Sequence, residues 1–264
     1  MRVLAPLRRR DWRRRGVIAA GVFIVVLVVF RLTLGLSRPS LSELLPNGEL
    51  RVGIDASNPP FAASTPEGYA GLEVALSQAI AEQLEVPLRL VGLGYDGLYD
   101  TLAADQVDVV IASVPIDVNR MAQVTYSEPY YNAGLVLVSD QGLMSMHDLP
   151  GKILAFEYGS IAHAISNDWL RQVAAFDTLP AESPAGALEQ VRAGTADAAL
   201  VDSVSLRLFL RRVPGWQPKA SPVTDVLYAA VTRADRGALS SYIGEAMAEL
   251  LRDGTVEVLI EQWL

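Results

Sequence analysis

Val107–Ala112 reads VDVVIA, a short and nearly continuous β-branched run. A run without a polar face belongs in a strand covered on both sides, as in an α/β sheet. The segments upstream alternate in the same sense. Leu50–Ile54 (LRVGI) and Leu88–Val91 read as further strands, and the polar, proline-rich Asp55–Gly68 reads as a loop. Leu72–Leu84 carries apolar residues at Leu72, Ala75, Leu76, Ala79, Ile80 and Leu84, which form a helical stripe. Tyr99–Ala104 adds a short helix. This order predicts a mostly parallel sheet with helices on its faces. Ligands of such sheets lie beyond the carboxyl ends of the strands, which puts Asp55, Tyr95 and Ser113 on one rim.

Just past that rim stands a lone arginine, Arg120, within the stretch Ser113–Tyr130 (SVPIDVNRMAQVTYSEPY). A guanidinium beyond a buried strand end is a ready fork for a carboxylate. The plainer reading is a surface ion pair with Asp117 or Glu128.

A second α/β unit follows a connecting strand, Gly134–Val138. Lys152–Phe156 reads as a strand, Ser160–Ala175 and Ala185–Ala193 as helices, and Ala196–Val201 as a strand running into Asp202. Val226–Thr232 reads as a returning strand. Leu239–Arg252, stopped by Gly254, and Val256–Leu264 read as the closing helices. The whole predicts an α/β chain of two lobes, the second inserted in the first.

The amino terminus is different in kind. Seven arginines between Arg2 and Arg15 precede the apolar stretch Gly16–Leu36, broken by Arg31. From Arg38 onward there are about 14 basic and about 29 acidic residues. Arginines before an apolar run keep the amino terminus inside and send the rest across the membrane. The run serves either as an uncleaved transmembrane anchor or as the core of a signal sequence, with Gly35 and Ser37 as small residues at a cleavage site. With no cysteine in 264 residues there is no disulfide framework, no lipid attachment through a thiol and no thiolate metal site. So acidic an exported part excludes nucleic acid as a partner. The two histidines, His147 and His163, have neither metal-site nor triad spacing. Gly92, Gly94 and Gly97 spell GxGxxG, but after the second strand of the unit rather than the first, so they read as a tight turn. No cofactor is expected.

LRVGIDASNPPF, GLEVALSQAIAEQL, DVVIASVPIDVNR with YSEPYY, GTADAALVDS and the terminal LLRDGTVEVLIEQWL together resemble the extracellular solute-binding proteins of family 3, the polar amino-acid receptors of ATP-driven importers. The likeness spans Glu49–Leu264. It implies a periplasmic-binding-protein type 2 fold: lobe 1 from residues 49–136 and 226–264, lobe 2 from 137–225, and hinge strands near Leu135–Val138 and Asp225–Ala229. Ahead of them lie a basic cytoplasmic segment (1–15), the anchor or signal core (16–36) and a linker (37–48). The resemblance also implies a monomer outside the cytoplasm that closes on a small ligand and delivers it to a membrane permease with its ATPase.

Residue by residue, the resemblance puts Arg120 on the ligand α-carboxylate and Asp202 on its α-ammonium, with a helix cap as the other role of Asp202. Ser113 and Ser160 fall on positions that meet the ligand, and equally suit turns or caps. Asp55 matches a carboxylate near the ammonium pocket, or a loop cap. Tyr95 matches an aromatic wall, or lobe packing. Pro115 stands where many relatives have a hydroxyl residue, and Asn58 where several have a stacking aromatic. Losing one hydrogen bond to a charged group costs roughly 1.5–3 kcal/mol. Glu157 falls on a position facing the ligand side chain, favouring a basic or polar amino acid or a related amine, and its other role is a solvated loop carboxylate. Two rivals are a dehydratase on this scaffold, like the cyclohexadienyl dehydratases, with Glu157 as general acid, and a sensor for a membrane partner.

Overall fold

The computed structural model describes residues 38–45 and 47–264. The basic segment and the apolar run expected to anchor or export the chain lie outside the described residues. Among the described residues no helix is long and apolar enough to cross a membrane. The expected linker contains a one-turn helix, Leu41–Leu44, closed by the Glu43 carboxylate accepting from the Ser40 N–H at 3.0 Å. Residues up to Leu44 form one unit and Leu45–Leu264 another.

The larger unit is built on two five-stranded sheets. The first orders its strands β4-β1-β5-β12-β6, from Leu50–Ile54 (β1), Leu88–Gly92 (β4), Val109–Val110 (β5), Val124–Asn132 (β6) and Leu227–Arg233 (β12). β1 pairs in parallel with β4 and β5, whereas β12 runs antiparallel to both β5 and β6. A small hairpin, Ala63–Thr65 (β2) with Gly68–Ala70 (β3), fills the loop after β1. Helices Leu72–Gln83 (α1), Leu98–Ala103 (α2), Gly237–Arg252 (α6) and Thr255–Trp263 (α7) complete this lobe.

The second sheet orders β11-β7-β10-β8-β9: Leu135–Ser139 (β7), Ile153–Glu157 (β8), Asp177–Ala181 (β9), Ala198–Asp202 (β10) and Lys219–Pro222 (β11). Ile161–Trp169 (α3), Pro184–Arg192 (α4) and Ser203–Arg212 (α5) flank it. Successive residues of β8 serve opposite faces. Ala155 packs with Val138, Leu188 and Phe209, whereas Leu154 and Phe156 pack with Leu137, Leu149 and Leu200. A strand covered on both faces has this pattern, which is why such strands read as continuous apolar runs.

The Val107–Ala112 run is buried throughout, yet only Val109 and Val110 join the ladder. Asp108 interrupts it and is nearly inaccessible. Its carboxylate accepts from Arg51 Nε at 2.9 Å and Nη2 at 2.8 Å, and from Arg236 Nη1 at 2.8 Å. Burial alone would raise the Asp108 pKa; the Arg51 bonds outweigh it and hold the group below its usual range.

Two short segments carry the chain between sheets: Ala133–Gly134 outward and Val223–Val226 back. Leu135–Val138, expected as a hinge strand, is paired with β10 and β11 as part of the second sheet. Likewise Leu227–Ala229 is already paired with β6. The Asn132 side chain ties the crossings together: Oδ1 accepts from the Gly134 and Val226 N–H groups, both at 3.0 Å, and Nδ2 donates to Asp225 at 2.7 Å. Gly134 is required at this point, since a Cβ there would lie 1.9 Å from the Thr224 carbonyl oxygen.

Candidate functional site

α1 begins where the loop after β1 folds back, its Leu72 and Glu73 N–H groups donating to the Pro60 and Phe61 carbonyls. This sets Glu73 on the buried face of the helix, with Leu72, Leu76 and Ile80. Its Oε1 accepts from the Ser113 N–H at 2.5 Å, the Ser113 hydroxyl at 2.8 Å and the Tyr130 hydroxyl at 2.5 Å. Its Oε2 is buried without a partner among the described residues. Burial raises the Glu73 carboxyl to about 7, against the lowering effect of the three bonds.

Ser113 follows β5 with φ at 49°, a left-handed conformation rare for residues with a side chain. Its hydroxyl also accepts from Asn58 Nδ2 at 3.0 Å. Asp55, buried at the end of β1, accepts from the Ser57 N–H at 3.0 Å and the Ser57 hydroxyl at 2.6 Å, a loop cap. Tyr95 opens the turn after β4 and is 51% exposed. Burial of its ring and the nearby Asp55 charge raise its hydroxyl pKa. Asp55, Asn58, Tyr95 and Ser113 thus gather at one end of the first sheet.

Arg120 ends a 3₁₀ turn, Val118–Arg120, capped by Asp117, whose side chain accepts from the Asn119 N–H at 2.9 Å. Its guanidinium lies 4.1 Å from the centroid of Tyr99, and its Nε is 3.7 Å from Asp117. Tyr99 in turn meets the Tyr126 hydroxyl at 3.1 Å. The Asp117 pair is long and nearly half exposed, so it binds Arg120 weakly. The Tyr99 ring adds a cation–π contact to the guanidinium.

In the second lobe, Glu157, Ser160 and Asp202 line one cavity of about 320 Å³, with Gly134, Leu135 and Pro184. Among the described residues no lysine or arginine lines it. Asp202 is the N-cap of α5, accepting from the Ser205 N–H at 2.8 Å and the Ser205 hydroxyl at 2.7 Å. Ser160 is the N-cap of α3: its hydroxyl accepts from the His163 N–H at 3.2 Å and donates to the Glu157 carbonyl at 2.8 Å. The Ser160 hydroxyl proton is therefore committed to its own turn.

Between these groups lies an aromatic cluster that no sequence motif marks. Phe61 meets Tyr131 and Tyr228 edge to face, both at 5.6 Å. The Tyr131 hydroxyl accepts from Ser203 of α5 at 3.1 Å, joining the two lobes. Burial raises the Tyr228 hydroxyl pKa, and the charges of Glu73 and Asp202 push it the same way, so this ring feels carboxylates of both lobes. The YSEPYY motif contains Tyr130 and Tyr131 but does not reveal which face each takes. Glu73 is the other group that no motif marks, since an acid among apolar helix positions reads as a break in the stripe until its distant partners are in place.

Residues 50–264 match the family of bacterial extracellular solute-binding proteins, family 3. The L-cystine-binding protein TcyJ of Escherichia coli (strain K12) is 27% identical over 237 residues, covering 84% of this chain and 85% of its own. The L-arginine-binding protein of Pseudomonas aeruginosa is 31% identical over 177 residues, 66% of this chain and 68% of that one. Among solved structures, the L-cystine solute receptor of Neisseria gonorrhoeae in its unliganded open conformation superposes with a TM-score of 0.71 at 25% identity, covering 86% of this chain and 97% of its own.

Proposed function

Because the chain belongs to the bacterial extracellular solute-binding proteins of family 3, we propose that it is the extracytoplasmic receptor of an ABC-type importer, specific for a basic amino acid. Solute binding is the family's role. The ligand class rests on one observation: Glu157 and Asp202 line a cavity with no basic residue among those described, while Arg120 stands in the other lobe. Arg120 takes the ligand carboxylate, and Asp202 with Asp55 attracts the α-ammonium. Glu157 meets a cationic side chain. Ser113 and Asn58 contribute hydrogen bonds on the first-lobe rim, and Tyr95 closes over the ligand. Ser160 helps through its helix terminus rather than its hydroxyl.

Closure turns on Ala133–Gly134 and Val223–Val226. Exposed Tyr158 (71%) and Ile161 (73%) support reading this arrangement as open, as does the likeness to an open, unliganded receptor. A permease and its ATPase receive the closed form, with the binding unit working outside the cytoplasm.

A thermal-shift panel of L-amino acids tests the ligand class. A ligand at 100 times its Kd adds about 2.7 kcal/mol of stability. L-arginine or L-lysine should raise Tm. Binding of L-cystine or L-glutamate with no response to arginine, lysine, histidine or glutamine overturns the basic-ligand reading, and turnover of prephenate or arogenate overturns the receptor reading.

A further inference from the structure

We propose that Glu73 is a positioning residue for the ligand-binding edge of the first lobe: its carboxylate clamps Ser113 and, through Ser113, Asn58, and its protonation loosens both. The proposal rests on reading Ser113 and Asn58 as ligand-facing.

The geometry is that of a clamp. One carboxylate oxygen receives the N–H and hydroxyl of the same residue, Ser113, together with the Tyr130 hydroxyl. Ser113 is in a left-handed conformation, one that an unsupported serine abandons readily. The Ser113 hydroxyl donates to Glu73 and accepts from Asn58, so the chain of bonds runs from a fully buried acid to a half-buried side chain on the rim. Glu73 itself has no exposed surface and touches no ligand. It can act only through the residues that it holds.

The unpartnered Oε2 is where a proton can sit without displacing any of the three donors. Protonation there turns Oε1 from a carboxylate oxygen into the carbonyl of a neutral acid. Hydrogen bonds to a charged acceptor are roughly twice as strong as bonds to a neutral one, so all three weaken together. Among the described residues, the charged and titratable groups that act on Glu73 or respond to it are Tyr130 on β6, Tyr228 on β12 and Asp55 after β1. Both tyrosine hydroxyls are shifted upward and stay neutral near pH 7. Asp55 is an anion that favours the protonated form of Glu73. With burial, this brings the Glu73 transition to about 7, within the range a cell exterior spans.

The clamp is read in two ways on the full chain, one of them without ligand. In the ligand-free protein the Ser113 amide resonance should shift with pH through a midpoint near 7. Glu73→Gln should abolish the shift, and it should survive Asp55→Asn at a slightly lower midpoint. With L-arginine as probe, wild-type affinity should fall about fivefold from pH 8 to pH 6, and Glu73→Gln should bind weakly and equally at both. A Ser113 amide that does not titrate, or arginine binding of equal strength at both pH values in the wild type, overturns the proposal. If wild type ignores arginine at pH 8, the basic-ligand reading fails, and the Ser113 titration alone decides whether Glu73 is a clamp.

Discussion

Glu73 sets opposite demands on stability and binding. Its carboxyl ionises at 4.5 ordinarily and at about 7 when folded. Between those values the folded chain keeps a proton that the unfolded chain has lost, so stability falls as pH rises through this window. Below the window both states are protonated and the contribution is complete. At ~1.4 kcal/mol per pH unit the whole effect is on the order of 3 kcal/mol. Urea unfolding at pH 5 and pH 7.5 should show that slope in wild type and lose it in Glu73→Gln. Arg120 makes a different prediction. Its side chain is nearly half exposed and its ion pair weak, so Arg120→Ala should change Tm little while cutting the ligand-induced thermal shift by half or more. The expected loss is roughly ten- to a hundredfold in affinity, from one charge-assisted contact. Retention of wild-type affinity would sink the carboxylate assignment. Arg120 was visible in the sequence because a lone cation beyond an apolar run stands out. Glu73 was not, because an acid on a helical stripe looks like a break in the pattern until Ser113 and Tyr130 are brought to it.

Within the two large sheets, the strands that the sequence pattern does not mark share a position. β6 lies at one edge of the first sheet, and β9 and β11 occupy both edges of the second. Each contains a proline, Pro129, Pro180 or Pro222, and each is interrupted by exposed residues. Edge strands need only one bonded side and tolerate proline, so they lack the apolar continuity that revealed β1, β8 and β10. α3 was overextended for the converse reason. Trp169, Leu170 and Val173 continue its apolar spacing into the core while the backbone turns at Asp168–Arg171. Periodicity reported their packing, not their conformation. β5 also departs from expectation, through Asp108. Its carboxylate fastens β1 to the start of α6 through Arg51 and Arg236. Asp108→Asn leaves two arginines facing a neutral, buried group and should destabilise the chain by about 3 kcal/mol, read from the urea midpoint.

Two short crossings, Ala133–Gly134 and Val223–Val226, join the two lobes where neither sheet holds the chain, and the proposed closure turns there. Gly134→Ala should force Thr224 away and destabilise the molecule by roughly 2 kcal/mol, with a lower Tm. An unchanged Tm would mean that the crossings accommodate a side chain and are looser than their spacing implies. The two-lobed α/β plan was legible in the chain because buried parallel strands and amphipathic helices each write a local period into the sequence, and the glycines of GLGYDG marked a turn for the same reason. The roles of Asp202 and Ser160 as helix caps were legible as one of two alternatives, since a cap is also a local matter. What no period encodes is which distant residues meet. The clamp of Glu73 on Ser113, the Asn132 staple and the Phe61–Tyr131–Tyr228 cluster each join residues many positions apart. Their partners are chosen by how the sheets close on one another, so they exist only once the chain has packed.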